Sequence, residues 1–224
     1  MPVDATLTSL WLAGLTALIL VPFGVWAGRA LATAQFAGKG FVETLVLLPL
    51  ILPPTVLGYY LLVAFAPANP VGQAINTVFG GSLAFSFEGI LIASLIANVP
   101  FAVQPIQRSF EAIPDTVREA AWVSGLNGWQ TLWRIELPLA WPGIVTAAAL
   151  VMAHTLGEFG VILMVGGNIP GETQTLSIAI YDRLQAFKTA EAGLISAVLL
   201  VASLAALAIV QTTAATGRTP RPRP

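Results

Sequence analysis

Charge is missing from most of this chain, and the places where it is missing decide what the chain can fold into. No charged residue stands between Asp4 and Arg29, or between Glu43 and Glu88. Charged residues make up 9% of the 224 and hydrophobic ones 56%, where a water-soluble domain carries about 25% charged residues. Such windows are long enough to cross a bilayer, which takes roughly 20 apolar residues at about 1.5 Å rise each. Five spans are expected, near 9–28, 42–65, 87–107, 141–165 and 190–212. Residues 66–86 are rich in Pro, Gly, Asn and Ser and read as a loop. The fold class expected is an all-α integral membrane protein, with a helical loop between the third and fourth spans.

Several function classes fall away on composition. There is no cysteine, hence no disulfide, thiolate metal site or thiol catalysis. His154 is the only histidine, so a His-rich metal site is excluded and no metal ligands are assigned. A net charge of -1 implies no nucleic-acid partner. No G-x-x-x-x-G-K-[ST] loop occurs; Gly38-Lys39-Gly40 and Gly166-Gly167-Asn168 are too short to cradle phosphates. Ala32-Thr33-Ala34 looks like a signal-peptide cleavage site, but the residues before the first apolar run hold Asp4 and no Lys or Arg. A signal peptide needs a positive start, so an uncleaved first helix is expected.

Lys and Arg set the orientation. With the N-terminus outside, the inner side holds Arg29, Lys39, Arg108, Arg118, Arg134, Arg218, Arg221 and Arg223, and the outer side only Arg183 and Lys188. The expected organisation is one transmembrane domain over 1–217, containing a cytoplasmic loop over about 108–140. A Pro- and Arg-rich cytoplasmic tail, 218–224, is expected to be disordered.

That loop carries the most specific pattern in the chain. Residues 119–138 read EAAWVSGLNGWQTLWRIELP. Thr116 with Glu119 has capping-box spacing. Ala120 and Ala121 are small enough for another backbone to approach. Gly125 can take the left-handed conformation that ends a helix, and Asn127 with Gln130 looks like a second helix start. Trp129, Leu132, Trp133 and Ile135 give an apolar face, and Pro138 is expected to stop that helix. By composition the segment also reads as a plain helix-turn-helix with aromatics at the lipid interface. The order E-A-A, three residues, Gly, nine residues, Ile, one residue, Leu-Pro, however, resembles the cytoplasmic loop of permease subunits of ATP-binding-cassette (ABC) importers. The resemblance implies that the loop docks on a separate ATPase subunit through Glu119, Ala120, Ala121, Gly125, Trp129, Ile135, Leu137 and Pro138.

Further stretches resemble the molybdate, tungstate and sulfate permease group: LPLILPPTVLGY over 48–59, GEFG over 157–160, and GNIPGETQTL over 167–176 with Ile180-Tyr181. The compact length resembles the molybdate type. Val123-Ser124 before Gly125 and Asp182-Arg183 after Tyr181 depart from the family pattern, which leaves the anion open. The resemblance implies a homodimer in a bacterial or archaeal plasma membrane, with two ATPase subunits that hold ATP and Mg, and an extracytoplasmic oxyanion-binding protein. This chain would then be a transport subunit and not an enzyme, with no cofactor of its own. The alternatives are a sulfate/thiosulfate or tungstate permease, an ion-driven secondary transporter, or a membrane enzyme with only Glu158 and His154 to work with.

Candidate pathway or gate residues follow from chemistry at membrane depth. Pro49, Pro53 and Pro54 interrupt the second span by removing helical hydrogen bonds, with Thr55 beside them. Broken backbone survives in a membrane only where protein or a cavity covers it, which points to the dimer channel; a simple kink for packing is the equal alternative. An acidic group inside a span is costly, and Glu158 lies about 25 Å along the fourth span. A carboxylate repels an oxyanion, so a gating or structural role is expected. His154 stands four residues earlier on the same helical face; the expectation is a buried pair between the two, or a Glu158 that accepts backbone N–H groups where Gly157 and Gly160 loosen the helix. Asn168, Thr173, Gln174 and Thr175 offer neutral donors near the outer mouth; the turn that Pro170-Gly171 signals, or a contact with the binding protein, is the favoured role.

Overall fold

The computed structural model describes residues 3–216; the tail expected over 218–224 lies outside the described residues. Eleven α-helices follow in order, with no strand among the described residues: α1 Val3–Thr33, α2 Lys39–Ile51, α3 Pro54–Phe65, α4 Pro70–Phe79, α5 Phe87–Glu111, α6 Asp115–Val123, α7 Gly128–Thr131, α8 Leu137–Gly157, α9 Gly160–Gly166, α10 Leu176–Gln185 and α11 Thr189–Thr216. A π-helical turn, Leu132–Glu136, joins α7 to α8. Four stretches among the described residues are long and apolar enough to cross a membrane, and five if α2 and α3 count as one bent crossing. The all-α membrane fold is therefore as read from the charge pattern.

Three helices form the scaffold. The buried face of α1 runs Ala5, Thr8, Ser9, Leu12, Ala13, Thr16, Ala17, Leu20, Gly24, Gly28 and Leu31, an i, i+3, i+4 repeat of mostly small side chains. It lies along α5, whose buried face is equally small: Gly89, Ala93, Ser94, Ala97, Asn98 and Ala102 with Ile90, Val103 and Ile106 between. Lipid tails are as apolar as leucine, so helices in a membrane are held by close packing and interhelical hydrogen bonds. The fit at Gly24 and Gly28 is tight. A Cβ on Gly24 would lie 2.8 Å from the Ala102 carbonyl oxygen, and one on Gly28 would lie 2.9 Å from the Gln107 nitrogen. α8 packs on the other side of α5, and α11 on α8 and α10. By contrast, α2 buries none of its residues.

The structure corrects the sequence reading at four places. The second span is more than kinked: α2 and α3 meet at 104°. Leu52 and Pro53 are both extended, at ψ 137° and 135°, because a residue that precedes a proline is pushed out of the α region, and two prolines follow in succession. Pro49 stays inside α2. The fourth span does not run unbroken over 141–165. It starts earlier, at Gly128, continues through the π turn to Gly157, and breaks where Glu158 is extended at ψ 128°. Pro138 does not stop a helix. The π turn, with the Leu137 N–H bonded to the Leu132 carbonyl, carries the helix past a residue without an N–H. Finally, 66–86 is no plain loop, since α4 lies within it.

Substituting Gly28→Leu should force α1 away from α5. Overpacking of this kind costs about 1–3 kcal/mol, read as a lowered Tm in detergent. Gly14→Ala, at a glycine with nothing within 4 Å of a Cβ, should leave Tm unchanged.

Candidate functional site

The two helix breaks face one another across a cavity of 490 Å³. One wall comes from the α2–α3 break, with Pro49, Pro54 and Thr55, and the other from the α8–α9 break, with Gly157, Glu158 and Gly160. Pro53 sits at the break as the residue before α3. The walls touch: a Cβ on Gly160 would lie 2.9 Å from Pro54 Cβ. α3 and α9 both begin here, and no side chain caps either N-terminus. Helix N-termini carry partial positive charge, and half-helices ending at membrane depth are a recurrent means of facing an anion.

Behind this cavity runs a chain of buried polar groups. Asn98 on α5 is fully buried. Its Nδ2 donates to the Ser94 carbonyl at 2.9 Å and to Glu158 Oε2 at 3.5 Å. Its Oδ1 lies 3.0 Å from His154 Nδ1, which is the donor in this orientation of the amide. The His154 ring stacks on Phe101 with centroids 4.3 Å apart. Ser94 Oγ donates to Thr155 Oγ1 at 3.4 Å and accepts from Thr16 Oγ1 at 3.3 Å, and the Glu158 carbonyl accepts from Ser177 Oγ at 2.6 Å. The network thus ties α1, α5, α8 and α10 together. The direct Glu158–His154 pair expected from spacing is not formed: extended backbone at Glu158 takes it off the face of α8, and Asn98 bridges the two. Asn98 carries no charge to mark it in the sequence; its signal is an uncharged amide inside an apolar span.

Neutral donors of the 167–176 segment are spent on its own backbone and on side chains of α10. Asn168 Nδ2 donates to both Asp182 oxygens at 2.9 and 2.7 Å, and Gln174 Nε2 to Asp182 at 2.9 Å. Thr173 Oγ1 donates to the Gly166 carbonyl at 2.7 Å, and Thr175 Oγ1 bonds Ser177 Oγ. None of Asn168, Thr173 or Thr175 lines the cavity.

At the far end of α5 and α8 stands the α6–α7 element. α6 begins at Asp115 without a side-chain cap, so the Thr116–Glu119 box is not made. Its end is as the sequence indicates. Gly125 lies at φ 84°, its N–H bonds the Trp122 carbonyl, and the Leu126 N–H bonds the Ala121 carbonyl, the two bonds of a Schellman motif. The Asn127–Gln130 capping box is formed. Glu119 and Ala120 are exposed and Ala121 is buried. Val123, 90% exposed, and Trp122 present apolar surface beside them. Ile135 and Leu137 are half-buried and Pro138 is exposed. Trp129 packs edge-on to Trp133 at 5.7 Å and lines a groove with Val25 and Trp26 of α1.

Residues 20–217 match the family described as the inner membrane component of binding-protein-dependent transport systems. The chain belongs to that family. Members are transport subunits, not enzymes, and multi-pass inner-membrane proteins. A "Molybdenum transport system permease protein ModB" of Azotobacter vinelandii is 45% identical over 82% of this chain and 81% of its own length. A "Probable sulfate transport system permease protein cysT" of Chlorella vulgaris is 31% identical over 93% of this chain and 78% of its own. The fold is shared by a bacterial alginate ABC transporter solved in complex with an alginate pentasaccharide-bound periplasmic protein, with TM-score 0.70, 22% identity, and cover of 96% of this chain and 78% of that one.

Asn98→Leu should remove the shared partner of Glu158 and His154 and cost about 1–2 kcal/mol, read as a lowered Tm in detergent. Glu158→Gln should alter the rate of ATP-coupled uptake while the order of preference among oxyanions stays the same; competition uptake assays in vesicles read this, and a changed order would contradict a gating or structural role.

Proposed function

We propose that this chain is the permease subunit of an ATP-driven importer of molybdate, working as a homodimer with two ATPase subunits and an extracytoplasmic oxyanion-binding protein. One observation carries the pathway: two helix breaks at membrane depth meet at one cavity, where two uncapped helix N-termini begin. The N-terminus of α3 brings partial positive charge to the cavity, and the Glu158 carboxylate on the opposite wall opposes an anion, which fits a gate rather than a holding site. Pro53, Pro54, Thr55, His154 and Glu158 belong to this pathway or its gate, with Glu158 and His154 held by Asn98. Molybdate is preferred to sulfate because the more similar relative is named for molybdenum. Sulfate/thiosulfate or tungstate is the second reading, favoured by the sulfate relative. An ion-driven secondary transporter is set aside, since the family depends on binding proteins.

Coupling falls to α6 and the turn after it, within a single domain over 1–217 whose coupling loop is about 108–140. Glu119, Ala120 and Gly125 form the docking surface, with Ala121 buried beneath it and Trp129, Ile135, Leu137 and Pro138 fixing its root. ATP and Mg belong to the partner ATPase. The excess of Lys and Arg on the α6 side supports an N-terminus outside and a C-terminus in the cytoplasm.

The test is ATP hydrolysis by the chain reconstituted in liposomes with its ATPase and binding protein, loaded in turn with molybdate, tungstate and sulfate. Stimulation by molybdate is expected, and stimulation by sulfate alone would move the chain to the second reading. Gly125→Pro, which cannot reach φ 84° and loses the bond to Trp122, and Glu119→Lys should each insert normally yet lose stimulation by about tenfold or more. Normal transport in both would contradict docking through this loop.

A further inference from the structure

Glu136 is fully buried at the foot of α8, and each of its carboxylate oxygens is taken by a different arginine. Arg29 of α1 donates from Nε to Oε2 at 2.6 Å, and Arg118 of α6 donates from Nε to Oε1 at 2.8 Å. Arg118 reaches further: one terminal nitrogen donates to the Phe110 carbonyl at 2.8 Å, the other to the Ile113 carbonyl at 3.2 Å and to Asp115 at 2.9 Å. A single arginine on the docking helix therefore grips the end of α5, the foot of α8 and, through Glu136, the inner end of α1. No other carboxylate among the described residues is shared between two arginines.

We infer that Arg29, Glu136 and Arg118 form the joint through which displacement of α6 is passed to the membrane helices, with Glu136 as its positioning residue. This rests on the reading of α6 as the ATPase-docking element. The remaining hold on α6 is apolar: Val117 packs against the Ile106–Phe110–Ala140 cluster, and Ala121 is buried. Apolar packing is non-directional and lets a short helix slide or roll. Charge-assisted hydrogen bonds fix direction as well as distance, and those of Arg118 tie α6 to the two helices that bring Phe101 and His154 to the cavity wall. The π turn supports this placement, because its extra residue rotates the helix face just where Glu136 stands; single-turn π segments recur at functional sites. Burial of charge is costly unless fully paired, so an apolar residue would serve packing alone equally well.

The experiment compares wild type, Glu136→Gln and Glu136→Asp, each reconstituted with the ATPase and the anion-loaded binding protein. Co-purification of the ATPase, stimulation of hydrolysis by the loaded binding protein, and ATP consumed per anion imported are read on each. Glu136→Gln keeps the shape but offers one arginine an amide in place of a charged oxygen. It is expected to co-purify with the ATPase, lose stimulation by about tenfold and consume more ATP per anion, with Glu136→Asp recovering much of the loss. Stimulation within about twofold of wild type in an assembled Gln variant would overturn the inference. So would failure of both variants to assemble, which would make the triad a folding element only. An unstimulated wild type would overturn the docking reading itself, and is distinguishable because it needs no substitution.

Discussion

In lipid no water is present to satisfy a backbone N–H or C=O, so a chain that crosses a membrane must bond every such group internally. That constraint shapes the rest of this protein. Helix is nearly continuous, and the two interruptions at membrane depth, at Leu52-Pro53 and at Glu158-Phe159, are not scattered. They lie across one cavity from each other, covered by α5 on the protein side. Irregular backbone is tolerated only where protein or a cavity covers it, and here the covering cavity is the one proposed as the transport path.

Around that path the scaffold is built for close approach. Small side chains on α1 and α5 bring the two helices together, and the chain Thr16–Ser94–Thr155 with Asn98, His154 and Glu158 spans the same seam. The polar groups of this seam satisfy one another, which makes the wall of the cavity a connected unit rather than a set of independent side chains. The helices that carry this unit, α5 and α8, end at the docking element, where Arg118 and Glu136 hold them. Cavity wall and docking helix are two ends of the same rods, so a shift at one end has a rigid route to the other.

Much of this was legible in the sequence, for physical reasons. Spans follow from absent charge, because charge in lipid is costly. The end of α6 at Gly125 and the start of α7 at Asn127 follow from local backbone chemistry, which needs no tertiary context. What stayed hidden depends on context. Pro138 reads as a helix stop until a π turn absorbs it, and α4 is hidden among turn-forming residues. The break at Glu158 carries no proline; Gly157 and Gly160 signal a loosened helix there but not a full break. Glu136 occupies an unspecified position of the loop pattern, and its two arginines lie 107 and 18 residues away, a distance that no local pattern spans. The Asn168 and Thr173 side chains offer donors to a ligand, but Asp182 of α10 and the Gly166 carbonyl take them.

The most direct test of the central claim, that α6 docks a cytoplasmic ATPase, uses the absence of native cysteine. Val123→Cys places one thiol on the most exposed apolar position of α6, where a membrane-impermeant maleimide can report on it. The thiol should be labelled in inside-out vesicles and not in intact cells, and assembly with the ATPase should protect it. Labelling from the outer side, or equal labelling with and without the ATPase, would contradict the account.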